Sequence, residues 1–233
     1  MEKPYRTDEL CLALGGIAFY TAAGVFGAHL NRIAGAGELP CTGLFLLLSL
    51  LLLAFVVRTG RSERYGLRKP ESAARLLRFV PLALLALSNL GYGVVLPDAV
   101  HDVLYAVLLA VSVAFLEELL FRGFLFKALE PKNAEAAAIV SSAVFGLLHL
   151  LRLFDGAPLP YVLCQTVLAA AIGYLFVTVF RISKSLLPCI AAHAAFDLCG
   201  AFAPEASVAR LLVLTSAQLL LAVAFTVYAK RTR

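Results

Sequence analysis

Eight apolar windows set the terms on which this chain can fold. Residues 9–30, 39–57, 79–97, 100–128, 134–153, 160–180, 185–203 and 207–229 approach the length that crosses a hydrocarbon layer, about 20 mostly apolar residues per helix. The third and seventh are the weakest. With 61% hydrophobic and only 15% charged residues among 233, the chain falls in the membrane class, and no soluble domain is appended. The expected fold is all-α: a polytopic bundle of about eight transmembrane helices forming a single domain, 1–233.

The charges between the windows orient the bundle, because short cytoplasmic loops carry the excess of Lys and Arg. With the N-terminus inside, 17 of the 20 basic residues fall on the cytoplasmic side, and only Arg32, Arg152 and Arg210 lie outside. This predicts a multi-pass integral protein of a prokaryotic plasma membrane with both termini cytoplasmic. The net charge of +5 then reads as an orientation signal with a contribution from anionic lipid, and not as a nucleic-acid footprint. The longest polar stretch, RTGRSERYGLRKPESAARLLR at 58–78, reads as a basic connector or, from Glu71 onward, as an amphipathic surface helix. The first ten residues mix both signs and lead to no cleavage pattern, so the first window is expected to stay. Cys11, Cys41, Cys164, Cys189 and Cys199 form no C-x-x-C pair and are expected to be buried small hydrophobes. Gly24-x-x-x-Ala28 and Ala169-x-x-x-Gly173 are small-x-x-x-small patterns that permit close helix approach.

Polar groups inside the windows cost several kcal/mol at the bilayer centre and are functional candidates by default. Well inside lie Glu117, Glu118, Arg122, His149, His193 and Asp197; His29 and His101 sit near outer ends. Windows four and five form a hairpin turning at EPKN, 130–133, with Glu117 14 residues before Pro131 and His149 16 residues after Asn133. At 1.5 Å per residue these are roughly 21 and 24 Å from the turn, matched in depth. His193 and Asp197 share a helix face at i,i+4, as do Glu118 and Arg122, the latter with the acid N-terminal in the better orientation for an ion pair. Glu117, turned by roughly 100°, is left without that arginine. A carboxylate with two histidines at membrane depth suits a general base acting on water.

Glu117-Glu118-x-x-x-Arg122, Phe145-x-x-x-His149 and His193-x-x-x-Asp197, in that order on successive helices, resemble the three motifs of the CAAX prenyl endopeptidase and bacteriocin-processing (CPBP, or Abi) family of intramembrane proteases. The resemblance covers about residues 80–203, and YGLRKP at 65–70 resembles a segment often seen ahead of that core. It implies that Glu117 activates water with help from His149, and that His193 with residue 197 stabilises the oxyanion. Glu118 and Arg122 would be structural support. Relatives more often carry Asn where this chain has Asp197; Asn donates to an oxyanion and an ionised Asp does not, so Asp197 reads as orienting His193 when ionised and as a donor when protonated. The family is often called metalloprotease, and Glu117, His149 and His193 would be an acceptable zinc set. H-E-x-x-H is absent, and metal-free water activation fits the resemblance equally.

The implied partners are a peptide or protein substrate and the lipid bilayer. Three other readings stay open: interhelical glue, a proton-coupled transporter, and a non-catalytic immunity or binding protein. The catalytic reading expects Glu117, His149 and His193 to converge on a water-accessible cavity in the cytoplasmic half of the membrane, with the 130–133 hairpin protruding below it.

Overall fold

The computed structural model describes residues 7–35, 38–70, 80–154 and 156–231. Its helices are α1 Thr7–Ala34, α2 Leu39–Arg58, α3 Val80–Leu87 with a 3-10 turn Ser88–Leu90, α4 Val100–Leu129, α5 Ala134–Leu148 with a 3-10 turn His149–Leu153, α6 Leu159–Ser183, α7 Leu187–Ala201 and α8 Val208–Arg231. Among the described residues there is no strand. The protein is a polytopic helix bundle, and its apolar helices make it an integral membrane protein.

Six of the eight helices among the described residues are long and apolar enough to cross a membrane. The exceptions are Val80–Leu90 and Leu187–Ala201, the two weakest windows of the sequence. At 1.5 Å per residue they reach roughly 16 and 22 Å, short of the ~30 Å hydrocarbon core. Large apolar side chains on the outer faces, such as Phe19, Leu51, Val213 and Leu220, are exposed where lipid would cover them.

Helix α4 sits centrally, packed against α1, α2, α5 and α7, while α6 joins α5 to α8. The α4–α5 turn forms as its residues dictate: Asn133 caps α5, its side chain accepting from the Glu135 and Ala136 N–H groups at 3.0 Å each, which satisfies donors that a helix start leaves unpaired. Helices α5 and α6 approach closely because of small residues. A Cβ on Gly146 would fall 2.7 Å from the Thr166 carbonyl oxygen, and one on Gly173 would fall 3.0 Å from Arg122 Nη2. In α1 the tight contact belongs to Gly27, whose added Cβ would meet Cys41 Sγ at 2.9 Å, whereas Gly24 has ordinary contact with Phe45.

Part of the 58–78 stretch is docked rather than tethered. Tyr65 is fully buried, edge-on to Phe124; Arg64 pairs with Glu9 at 2.5 Å, and the Gly66 carbonyl accepts from Leu186 N at 2.8 Å. Gly66 has φ +79°, and a Cβ there would strike Phe180. The amphipathic helix expected from Glu71 falls largely on 71–79, outside the described residues. All five cysteines are free, but only Cys189 is buried; Cys11 is exposed and the rest are intermediate, because their helices turn those faces outward.

Candidate active site

The opening charges of the site sit where α4 changes its winding. The helix runs in α geometry from Val100 to Glu117, then in π geometry from Glu118 to Phe126, every residue of which is buried. Such widening is rare and recurs at functional sites; nothing in the composition of ELLFRGFLF announces it. Glu118 and Arg122 are both 0% exposed and pair at 3.0 Å through Arg122 Nη1. The guanidinium lies 4.3 Å from the centroid of the Phe145 ring, with Phe121 and Phe176 also about it, so aromatic faces stand in for the partners that Nε and Nη2 lack.

Glu118 has a second partner. His193 Nδ1 lies 2.9 Å from the same Glu118 Oε1. An ionised carboxylate only accepts, so Nδ1 carries the proton and donates. The other ring nitrogen, Nε2, lies 3.4 Å from Glu117 Oε2 and 3.5 Å from Asp197 Oδ2, longer than an ordinary N–H···O bond. The two adjacent glutamates therefore address opposite nitrogens of one imidazole. Two expectations change in consequence. Glu118 is more than a partner for Arg122, because it also holds the His193 ring. Asp197 lies by Nε2, so the Nδ1 side, where a carboxylate fixes the tautomer, belongs to Glu118.

Glu117 also meets Tyr20 of α1, whose hydroxyl donates to Glu117 Oε1 at 2.5 Å; the Tyr20 ring stands edge-on to Phe45. His149 lies within electrostatic reach of both Glu117 and His193. Its Nδ1 is 3.1 Å from the Phe145 carbonyl oxygen, which can only accept, so Nδ1 carries the hydrogen and Nε2 keeps its lone pair. Glu117, His149, His193 and Asp197 thus line one cavity of about 1070 Å³, with Tyr20 and Phe145.

The lining of the cavity shows at which end of the bundle it opens. Beyond the catalytic candidates it is lined by Asn89, Tyr92, Arg152, Tyr161 and residues 203–206, at the end of the bundle away from the 130–133 turn. The reason lies in the short helices: α3 and α7 start at the end where α1 begins and α8 finishes, and stop early, leaving the space unfilled.

Among the described residues no three His, Cys, Asp or Glu side chains are placed to hold a metal ion; with Nδ1 of His193 given to Glu118, Nε2 is the ring nitrogen it would offer to one. Sequence reasoning passed over the uncharged polar groups of the site. Gln218 Nε2 donates to Asn89 Oδ1 at 2.8 Å, and Asn89 Nδ2 to the Phe196 carbonyl at 3.0 Å, tying α8, α3 and α7 together beside the cavity. Tyr20 carried a readable signal, since tyrosine favours membrane interfaces and this one sits mid-window.

Residues 99–199 match a family model described as type II CAAX prenyl endopeptidase Rce1-like. No curated protein and no solved structure matches the chain significantly. The match spans Glu117, Glu118, Arg122, His149, His193 and Asp197, and this similarity over residues 99–199 supports membership of the CPBP (Abi) family of intramembrane proteases.

Proposed function

We propose that this protein is an intramembrane endopeptidase in which Glu117 activates water. The observation that carries the reading is the single imidazole of His193 between two glutamates, one buried with an arginine and the other facing a cavity. Water placed between Glu117 and His149 Nε2 would donate to both acceptors and turn a lone pair to a peptide carbonyl. Glu117 takes its proton as general base and returns it to the leaving amine. His193, held through Nδ1 by Glu118 and protonated on Nε2, donates to the developing oxyanion, the kind of preorganised donor that stabilises charge most effectively in a dry site. Asp197, at the cavity wall near Nε2, serves as a second donor when protonated. Residues 80–203 would form the catalytic core of the single domain 1–233, with Tyr20 and Gln218 lent from outside it.

The reading is of metal-free water activation, for which Glu117 keeps Oε2 and His149 its Nε2 as acceptors for water. It is tested by cleavage profiling of membranes carrying the wild type or Glu117→Gln at matched protein level. Cleavage should depend on Glu117 and persist with a zinc chelator. Products that remain in the variant would leave the non-catalytic binding reading, and products lost to chelator would restore zinc to Glu117, His149 and His193.

A further inference from the structure

Nothing in the catalytic reading says from which face of the membrane a substrate arrives. We propose that the cavity takes its peptide from the side opposite the basic loops, so that the substrate is an extended segment at the outer membrane surface, exported or membrane-anchored, and not a cytoplasmic chain end. The chemistry rests on the hydrolase reading above; the direction rests on geometry and charge alone.

The route from the basic end is packed shut. Beyond Glu117, α4 continues with nine buried residues, 118–126, which include the Glu118–Arg122 pair, Phe121, Phe124 and Phe126. Tyr65 and Leu186 are fully buried beside them, and Gly66 sits so close to Phe180 that a methyl group would not fit. A shallow hollow of about 380 Å³ does exist at this end, lined by Glu63, Arg64, Lys127, Glu130, Arg181 and Lys184 among others, but it shares no lining residue with the catalytic cavity.

The opposite end is open and differently charged. From His193 to the close of α7 at Ala201 is roughly 12 Å of helix, a depth that about four residues of extended chain would span. The mouth is formed by Arg152, Pro158 and Tyr161 on one side and by Ala203, Pro204, Glu205 and Ala206 on another. Arg152 is engaged by Gln165 at 3.0 Å. Around that end Val94, Val95, Leu96, Val100 and Phe154 are exposed, Phe154 at 87%, an apolar rim suited to a peptide kept at the surface by its own apolar residues. The basic residues gather instead at the other end, in 58–70, Lys127, Lys132, Arg181, Lys184, Lys230 and Arg231. Positive loops stay in the cytoplasm, which puts the mouth outside.

Sidedness is read without any need for catalysis. The full chain carrying Ala206→Cys at the mouth or Glu63→Cys at the basic end, both exposed positions, is expressed in a bacterial inner membrane. A membrane-impermeant maleimide is then applied to spheroplasts and to inverted vesicles, with the unmodified chain as control for its own five cysteines. Position 206 should label in spheroplasts and position 63 in inverted vesicles. Labelling of 206 from the cytoplasmic face, or of both positions from one face, overturns the proposal. A fluorogenic peptide mixture offered to the same preparations gives the second arm: Glu117-dependent hydrolysis in spheroplasts supports it, and hydrolysis confined to inverted vesicles overturns it. Absence of hydrolysis in both sinks the enzyme reading and leaves the labelling to decide the direction.

Discussion

Two carboxylate clusters each tie helices of this bundle together, and they differ chiefly in water. In the first, Glu118 joins Arg122 and His193 with its side chain at 0% exposure. In the second, Glu135 at the start of α5 meets Arg181 at 3.1 Å and Lys230 at 2.9 Å, with Tyr174 also hydrogen-bonded to it, and 49% of its side chain is exposed. Both tie helices that are distant in sequence. Only the first does so where an unmatched charge has no solvent to retreat to, so the same chemistry becomes a structural necessity in one place and a dispensable clasp in the other.

The largest expected effect comes from breaking the dry cluster. Arg122→Ala leaves Glu118 buried beside His193 with no guanidinium, and removal of one member of a buried pair costs about 3–5 kcal/mol. Thermal unfolding in mixed micelles should show this loss, with hydrolysis falling together with folded protein. An Arg122→Ala protein as stable as the wild type would mean that His193 alone neutralises Glu118.

Glu117 separates folding from chemistry within the same cluster. Glu117→Gln keeps an acceptor for the Tyr20 hydroxyl and removes the base, so stability should hold within about 1 kcal/mol, the size of a single hydrogen bond, while hydrolysis disappears. A loss of stability as large as that of Arg122→Ala would make Glu117 part of the structural cluster. Tyr20→Phe is the milder cut. It removes the 2.5 Å donor to Glu117 and should cost about 0.5–1.5 kcal/mol. If Tyr20 positions the base, the variant lowers kcat with KM little changed and alters the pH profile; an unchanged profile would reduce Tyr20 to packing against Phe45.

What could be read in advance follows the same line between local and distant causes. Six windows became spanning helices because length and apolarity are carried by the segment itself, and the weakness of 79–97 and 185–203 was visible for the same reason. The hairpin depth of Glu117 and His149 followed from counting residues, and the pairing of Glu118 with Arg122 from their i,i+4 spacing. The second bond of Glu118, to His193, joins residues 75 apart and depends on the rotation of α7 about its axis, which no spacing records. The π turn at Glu118–Phe126 is a choice of backbone pairing with no residue signature. The open end of the cavity lies beyond two short helices that stop together, so the depth argument gave the level of the site and left the direction of its opening undecided. The docking of Tyr65 was hidden because a stretch with so many arginines reads as solvated, while its aromatic ring and glycine pack inward.

The smallest effect should fall on the wet cluster, where the comparison is sharpest. Glu135→Gln keeps the shape of the side chain and its contact with the Tyr174 hydroxyl, and removes the charge that Arg181 and Lys230 face. Those two cations do not become buried orphans, since Arg181 retains 19% side-chain exposure and Lys230 39%, and exposed ion pairs are worth about 0–1 kcal/mol. Screening by salt weakens such pairs further, so the small difference between Glu135→Gln and wild type should shrink as ionic strength rises, whereas the cost of Arg122→Ala should hardly respond. A Glu135 variant that unfolded as readily as the Arg122 one, or an Arg122 deficit that faded with salt, would show that exposure does not set the worth of these charges. In that case α5, α6 and α8 would be held at their basic end by a pairing as essential as the one beneath His193.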